Sequence, residues 1–548
     1  MKLYKIVVSA LVAAISIISS ARNISCHIPP MEGDATARIQ TMIDSLALCA
    51  SADDTMKIVL HPGAVYHLSR MAATSELYHV SNTTSREENP DPVKHIGILL
   101  KGMRNVEIDG CGATLLTFGE MTPWAIDRCS NVTVSNLIVD SADPSVPEMT
   151  VVDADSLSFT AHVHPSSRYE LRDGRLFWQG EGWEFTDGIA QIYDSVSATT
   201  RRCPSPLVKA SKVEELAPAV LKFTFPGKQP AEKGQTYQMR HSLRTEVAGL
   251  ISESEGVTLR NLKLHFMGNF GIVAQASKDL RYENLSCAPS PESGRTCAGF
   301  ADFLQVSGCR GRVVIANCLF RGSQDDPINI HGTHLKVADY GDGRTIKVKY
   351  MHPQTFGFQS FFDGDTIEIV NPSTLLSVAT AVVEHATMID DCTIGISLTD
   401  RLPDEAMILS EAVVENVSCT PEVSITGCRF EATPTRGVLV TTRRPVMISG
   451  NEFVRTPMAA ILVADDALSW YESGPVKDLI VSDNVFVDCA LPVIRIVPEI
   501  SEYAGDVHGH IEIRDNCFEF TEPIQNDLFE IKAAAEVIIT DNKVDILE

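Results

Sequence analysis

Ten short segments of this chain follow one pattern, and a repeat restricts the available folds more tightly than any single motif does. The units begin at Asn105 (NVEIDGCGATL), Asn131 (NVTVSNLIVD), Gly256 (GVTLRNLKLH), Asp279 (DLRYENLSC), Arg312 (RVVIANCLFRG), Glu422 (EVSITGCRFE), Pro445 (PVMISGNEF), Asp478 (DLIVSDNVF), His510 (HIEIRDNCFE) and Glu536 (EVIITDNKV). Each has alternating β-type residues, a short turn usually holding Asn, Asp or Gly, and a second apolar pair. One unit cannot bury an apolar face alone, whereas a stack of them encloses a continuous interior. The turn Asn suits a tight corner because it tolerates left-handed backbone and its amide can hydrogen-bond along a ladder. Antiparallel pairing signals, which a sandwich or propeller needs, are missing from the units. The pattern predicts an all-β chain coiled as a parallel β-helix, an architecture that reaches 548 residues by adding coils rather than by enlarging one core.

Ahead of the repeats, residues 34–48 have helical spacing, with Asp34 or Thr36 as a cap and Ile39, Ile43 and Leu46 on one face. They lead into KIVLHPGAVYHLS, residues 57–69, which reads as strand, Pro-Gly turn, strand. This order resembles the entry to the pectate-lyase-like right-handed parallel β-helix superfamily, in which an N-terminal helix covers the exposed end of the solenoid. Two long stretches interrupt the period, 149–244 and 336–412, and both read as small antiparallel β modules. The expected organisation is a signal peptide over 1–21, cap and first coils over 22–148, an inserted module over 149–245, central coils with the site over 246–335, a second module over 336–414 and the last coils over 415–548. Both modules leave and rejoin near the central coils, as walls around a pocket would. Trp178 and Trp183 of the first module could stack on a sugar ring, though a place in that module's own core weighs more heavily.

The segment MKLYKIVVSALVAAISIISSA has a basic start, an apolar run and small residues placed for cleavage. The protein is therefore expected to be exported, to the periplasm or beyond the cell. Cys26 follows a poor lipoprotein site, so release is favoured over lipid anchoring. No later stretch is apolar for long enough to cross a membrane. Fourteen cysteines contain no CxxC pair, and Cys111, Cys287, Cys318, Cys428 and Cys517 recur within the repeats. They read as small buried ladder residues in preference to a disulfide framework or a zinc site, although Cys309 with Cys318, or Cys419 with Cys428, could pair. A net charge of −25 argues against a nucleic-acid partner. A neutral glycan is compatible with it, as is an acidic surface that serves solubility alone.

The chemistry is placed in residues 300–334, FADFLQVSGCRGRVVIANCLFRGSQDDPINIHGTH. Asp302 lies 23 residues before Asp325, about one coil, so the two could recur at one angle on neighbouring coils. Asp326 is adjacent, and a bend at Pro327 could bring both members of the pair toward one cleft. Carboxylates gathered on adjacent coils raise one another's pKa, leaving one protonated while another stays charged. Glycosidic bond cleavage asks for that combination. A lone Asp-Asp pair is more often a turn, and His331 alone could be a structural histidine. The conjunction of Asp302, the pair, Asn329 and His331 carries the reading. A metal site made by the same residues ranks lower, and no metal or other cofactor is expected.

The runs ADFLQVSGC and ANCLFRGSQDDPINIHGTHLKV resemble the signature of glycoside hydrolase family 110, exported α-1,3-galactosidases of intestinal and marine bacteria. The resemblance implies removal of terminal α-1,3-linked galactose, as in blood group B antigen, with inversion. It implies Asp325 as general acid and Asp302 or Asp326 as general base. Asn329 and His331 match the motif and are expected to bind sugar hydroxyls or orient the carboxylates. A polygalacturonase-like hydrolase also places an Asp one coil before an Asp pair, but Phe300-Ala301 leads into Asp302 here, Pro327 follows the pair, and a later Arg-Ile-Lys is absent. A non-catalytic glycan-binding solenoid is the alternative from another class.

Overall fold

A computed structural model describes residues 21–547, so the expected signal peptide lies outside the described residues except for Ala21. The chain is mostly β, and its longest feature is a stack of parallel strands. Along one sheet Met56, Val106, Val132, Val257, Leu280, Val313, Val423, Val446, Leu479, Ile511 and Val537 pair laterally in that order. Every one of the ten repeat units contributes a member, so the period seen in the sequence is the coil itself. Two steps of this ladder, Val132 to Val257 and Val313 to Val423, are far longer than the rest. The intervening residues therefore leave the stack and return to the next coil.

Local chemistry explains why the coils turn where they do. Asn136, Asn261, Asn284, Asn317, Gly427, Gly450, Asp483, Asp515 and Asp541 hold φ between 54° and 65° at one corner. These residue types enter left-handed backbone at least cost. The next residue of the later coils points inward as a ladder: Asn451, Asn484, Asn516 and Asn542 pass amide hydrogen bonds from coil to coil at 2.9–3.0 Å. Inside, Phe430, Phe453, Phe486 and Phe518 stack at ring separations of 4.6, 5.0 and 4.9 Å. Offset rings at such distances add to the burial of the aromatic surface itself.

All fourteen cysteines are free thiols. Cys318 and Cys428 do occupy the inward ladder position, and Cys428 meets the Asn451 amide there through its N–H at 2.9 Å. The other three expected ladder members do not. Cys287 is buried but in the inward row of Leu264 and Phe320, Cys517 pairs with Val485, and Cys111 sits at an irregularity of the strand Arg104–Phe118 with φ 48°. The period placed them near one corner, but a shift of one or two residues moves a side chain to another wall.

The helix Thr36–Cys49 buries Thr36, Ile39, Ile43 and Leu46 against the solenoid core. Asp34 caps it from one residue before the N-cap, accepting the Thr36 N–H at 2.9 Å and the Thr36 hydroxyl at 2.6 Å. A strand not foreseen in the sequence, Asn23–Ile28, precedes the helix and extends the first coil by pairing with Thr55–Leu60.

The first excursion forms a seven-stranded antiparallel sheet from Glu148–Ala154 to Gln235–Arg240 with its own apolar core. Trp178 is wholly buried in that core and Trp183, partly buried, packs against it. The second excursion grows from a solenoid strand without a break. Ile328–Asp339 pairs in parallel with Val438–Val440 through Ile330, then turns antiparallel to Val413–Asn416 from His334 onward. One strand thus joins the coil that carries the DDPINIH motif to the module beside it.

Candidate active site

The site stands on the outer face of a second parallel sheet. Leu304, Ile328, Val438 and Ile461 point into the solenoid core, and alternation turns their neighbours Gln305, Asn329, Leu439 and Leu462 outward. Asn329, Leu439 and Leu462 floor a pocket of about 470 Å³. Asp302, Asp325 and Asp326 all line it, so the structure brings the three sequence-predicted carboxylates together.

Their register differs from the expected one. Leu304 pairs with Ile328, an advance of 24 residues, so the counterpart of Asp302 on the next coil is Asp326 and not Asp325. Val438 continues the row, and two residues before it stands Arg436. The row therefore reads Asp302, Asp326, Arg436. The Arg436 Nη1 lies 3.0 Å from Asp326 Oδ2, and its backbone N–H donates to Asp326 Oδ1 at 3.2 Å. Asp325 instead meets the first module: Arg202 Nη2 is 2.9 Å away and Arg244 3.8 Å.

Burial holds the Asp302 carboxyl well above the usual carboxylate range, and the charges of Asp325, Asp326 and Glu472 add to this while Arg244 opposes it. Burial also raises Asp326, against the pull of Arg436 and with the push of Asp325. Carboxyls so placed titrate as one set, and the proton held by the set resides where solvation is poorest.

Glu472, a further carboxylate in the pocket, was not singled out in the sequence. It lies on the short strand Glu472–Ser473, antiparallel to Gly332 and Thr333. Its Oε1 accepts from Asn329 Nδ2 at 3.2 Å and lies 3.5 Å from His331 Nε2. His331 itself stands behind the wall. Its Nδ1 donates to the Gly332 carbonyl at 2.7 Å, and its Nε2 accepts from Gln305 at 3.1 Å. His331 is thus absent from the pocket lining, with both ring nitrogens engaged by the protein.

Three buried polar atoms of pocket residues lack partners: Asn82 Oδ1, Asn329 Oδ1 and Thr435 Oγ1. Buried polar atoms are nearly always hydrogen-bonded, so these three are exceptions that gather beside the carboxylates. Asn82 and Thr435 were also missed in the sequence, since they stand in loops far from the motif. Trp470 supplies the aromatic surface that Trp178 and Trp183 do not. It is 52% exposed at the pocket and stacks on His352 of the second module, 4.6 Å between rings and 25° between planes. Burial pushes His352 down to about 4, so a neutral ring backs the indole near neutral pH. Asp466 fixes the loop by accepting the N–H groups of Leu468, Ser469, Trp470 and Tyr471. Among the described residues, a group with metal-ligand spacing occurs at Asp390, Asp391 and Cys392, on a largely exposed turn outside the pocket lining.

Two family models match the excursions from the solenoid, GLAA-B beta-barrel domain I over residues 147–236 and GLAA-B beta-barrel domain II over residues 345–407. Alpha-1,3-galactosidase A of Bacteroides thetaiotaomicron is 44% identical over 489 residues, covering 89% of this chain and 86% of that protein. The protein of the same name from Bacteroides fragilis (strain ATCC 25285) is 35% identical, covering 91% of this chain and 83% of that one. That of Akkermansia muciniphila is 36% identical, covering 80% and 73%. With identity of this order over most of both chains, and with Asp325, Asp326 and Asn329 of the DDPINIH motif lining the pocket, this chain belongs to the α-1,3-galactosidase family, glycoside hydrolase family 110.

Proposed function

We propose that this protein is an exo-acting glycosidase that removes terminal α-1,3-linked galactose, and that it does so with inversion at the anomeric carbon. The observation that carries the reading is the convergence of Asp302, Asp325 and Asp326, from two consecutive coils, in one pocket.

In this reading the galactose ring sits over Asn329, with the unpartnered oxygens of Asn82, Asn329 and Thr435 taking its hydroxyl groups. Asp325, at the arginine-lined side, is the general acid and protonates the leaving glycosidic oxygen. Asp302 and Asp326 together hold a water on the opposite face, accept its proton as the C–O bond forms, and the departing sugar takes the proton given by Asp325. The acid must be protonated before each turnover. Asp325 is ion-paired to Arg202 in the ligand-free state, and entry of the substrate between them releases it to take a proton from the set. Glu472 orients Asn329 and adds negative charge beside the oxocarbenium-like centre.

The same reading makes the solenoid a right-handed β-helix with Thr36–Cys49 as its cap, the two modules as pocket walls, and the protein an exported enzyme whose natural substrates include blood group B-type glycans. The three pocket arginines accompany carboxylates rather than standing free for an anionic polymer, which supports the galactosidase over a polygalacturonase-like activity. Incubation with galactose-α-1,3-galactose tests it. Free galactose is expected from wild type and not from Asp325→Asn, whereas binding without release would leave a glycan-binding solenoid.

A further inference from the structure

The pocket has a neighbour beyond its rim. Glu499 lines the pocket and also lines a second cavity of about 490 Å³, together with Val497, Ile500, Tyr503 and Lys532. Glu499 is the wall these two cavities share, and the second lies on the side of the last coils, beside Lys532 and Ala533.

The repeat shows how both are walled. From residue 422 to 445 the pattern advances 23 residues, but from 445 to 478 it advances 33 and from 478 to 510 it advances 32. The extra length falls after the strands Ile461–Val463 and Ile494–Ile496, on the side of the stack that carries the pocket. The first enlarged loop holds Trp470 and the second holds Glu499 and Tyr503. Both are tied down. The Glu499 N–H donates to the Asp465 carbonyl at 2.9 Å, and the N–H groups of Ser501 and Glu502 donate to Ser373 of the second module at 3.0 Å. Tyr503 is anchored at its hydroxyl, which donates to Asp506 Oδ1 at 3.0 Å, while 64% of the residue stays exposed. An aromatic ring fixed at its polar end and open on its face, flanked by a carboxylate and an ammonium group, matches the apolar CH face and hydroxyl rim of a sugar. At the other end the Asn82 loop, held by its N–H to the Gln354 carbonyl at 2.8 Å, and Arg244 close the pocket.

We infer that the two cavities form one groove that binds the reducing-end part of the glycan, at least two sugar residues beyond the scissile bond, with the chain running from Asp325 past Trp470 and Glu499 to Tyr503. The inference rests on the galactosidase reading above and adds the length and direction of the substrate. The test compares kcat/KM for galactose-α-1,3-galactose with that for a neutral tetrasaccharide ending in the same linkage, in wild type, Tyr503→Ala and Tyr503→Phe. Wild type should favour the tetrasaccharide by about tenfold. The long-to-short ratio should fall toward one in Tyr503→Ala and by a smaller factor in Tyr503→Phe, which keeps the ring and loses its anchor. Because the ratio is taken on one preparation, a partly unfolded variant does not mimic the effect. A wild-type ratio near one, or a ratio untouched by Tyr503→Ala, would overturn the groove while leaving the galactosidase standing. Release of galactose from neither substrate would instead remove the reading on which it rests.

Discussion

Asp302 and Asp326 occupy the same place on consecutive coils, each two residues ahead of the lateral pair formed by Leu304 and Ile328. Strands in neighbouring coils lie about 4.8 Å apart, so two carboxylates in that relation repel unless one of them keeps a proton. Arg436, in the same position one coil further on, neutralises Asp326 and leaves Asp302 as the poorly solvated member.

Replacing any one of the three carboxylates by its amide should therefore reduce turnover with little change of shape. Asp302→Asn, Asp325→Asn and Asp326→Asn are each expected to lower kcat on an α-1,3-galactoside by about 10²–10⁴-fold. Far-UV circular dichroism should be unchanged. A variant that keeps more than a tenth of wild-type kcat would take that residue out of the chemistry.

The same crowding makes the site a load on the fold. A carboxyl raised by burial binds its proton more tightly in the native state than in the unfolded one, so its contribution is full at pH below about 3.9 and is lost as pH rises through the native value. Asp302→Asn lacks this loss. Its Tm should exceed that of wild type by on the order of one or two degrees at pH 7, with a smaller difference at pH 4. A difference that is constant or grows on acidification would contradict the assignment of the proton to Asp302.

Glu472 raises the proton affinity of Asp302 through its charge. Removing that charge should release part of the shift. In Glu472→Gln the alkaline limb of the kcat/KM profile is expected to move to lower pH, alongside a fall in activity of about tenfold from the disturbed Asn329 contact. A limb that moves upward, or stays in place, would mean that another group sets it.

Away from the site, the amide ladder is a direct test of what holds the last coils. Asn484 is fully buried, donates to the Ile448 carbonyl and Asn516, and accepts from the Asn451 backbone and side chain. Asn484→Ala strands several of these groups at once and should destabilise by about 3 kcal/mol or more, read from chemical denaturation. A loss below about 1 kcal/mol would show that water or relaxation replaces the ladder.

Much of this was legible in the sequence because a repeat declares itself residue by residue. The corner Asn, Gly and Asp positions and the inward valines and isoleucines were visible as a pattern, and so was the cluster from Asp302 to His331. The register was not, because a coil of 23 residues and one of 24 look alike until Leu304 is seen beside Ile328. Trp470, Glu472, Asn82 and Thr435 escaped because they reach the pocket through folding from loops that carry no motif. One signal for two of them was available: the interval from Pro445 to Asp478 is ten residues longer than the one before it, and Trp470 and Glu472 lie in the added length. Trp178 took the weightier of its two readings, since this aromatic of a polar stretch faces its own module's core.

The central claim is that Asp302 and Asp326 direct a water onto the galactose while Asp325 expels the leaving sugar in a single displacement. Proton NMR of the anomeric region during the first seconds of galactose-α-1,3-galactose hydrolysis reads this without a variant. The account predicts β-galactose as the first anomer formed, with α-galactose appearing only through mutarotation, and first appearance of α-galactose would contradict it.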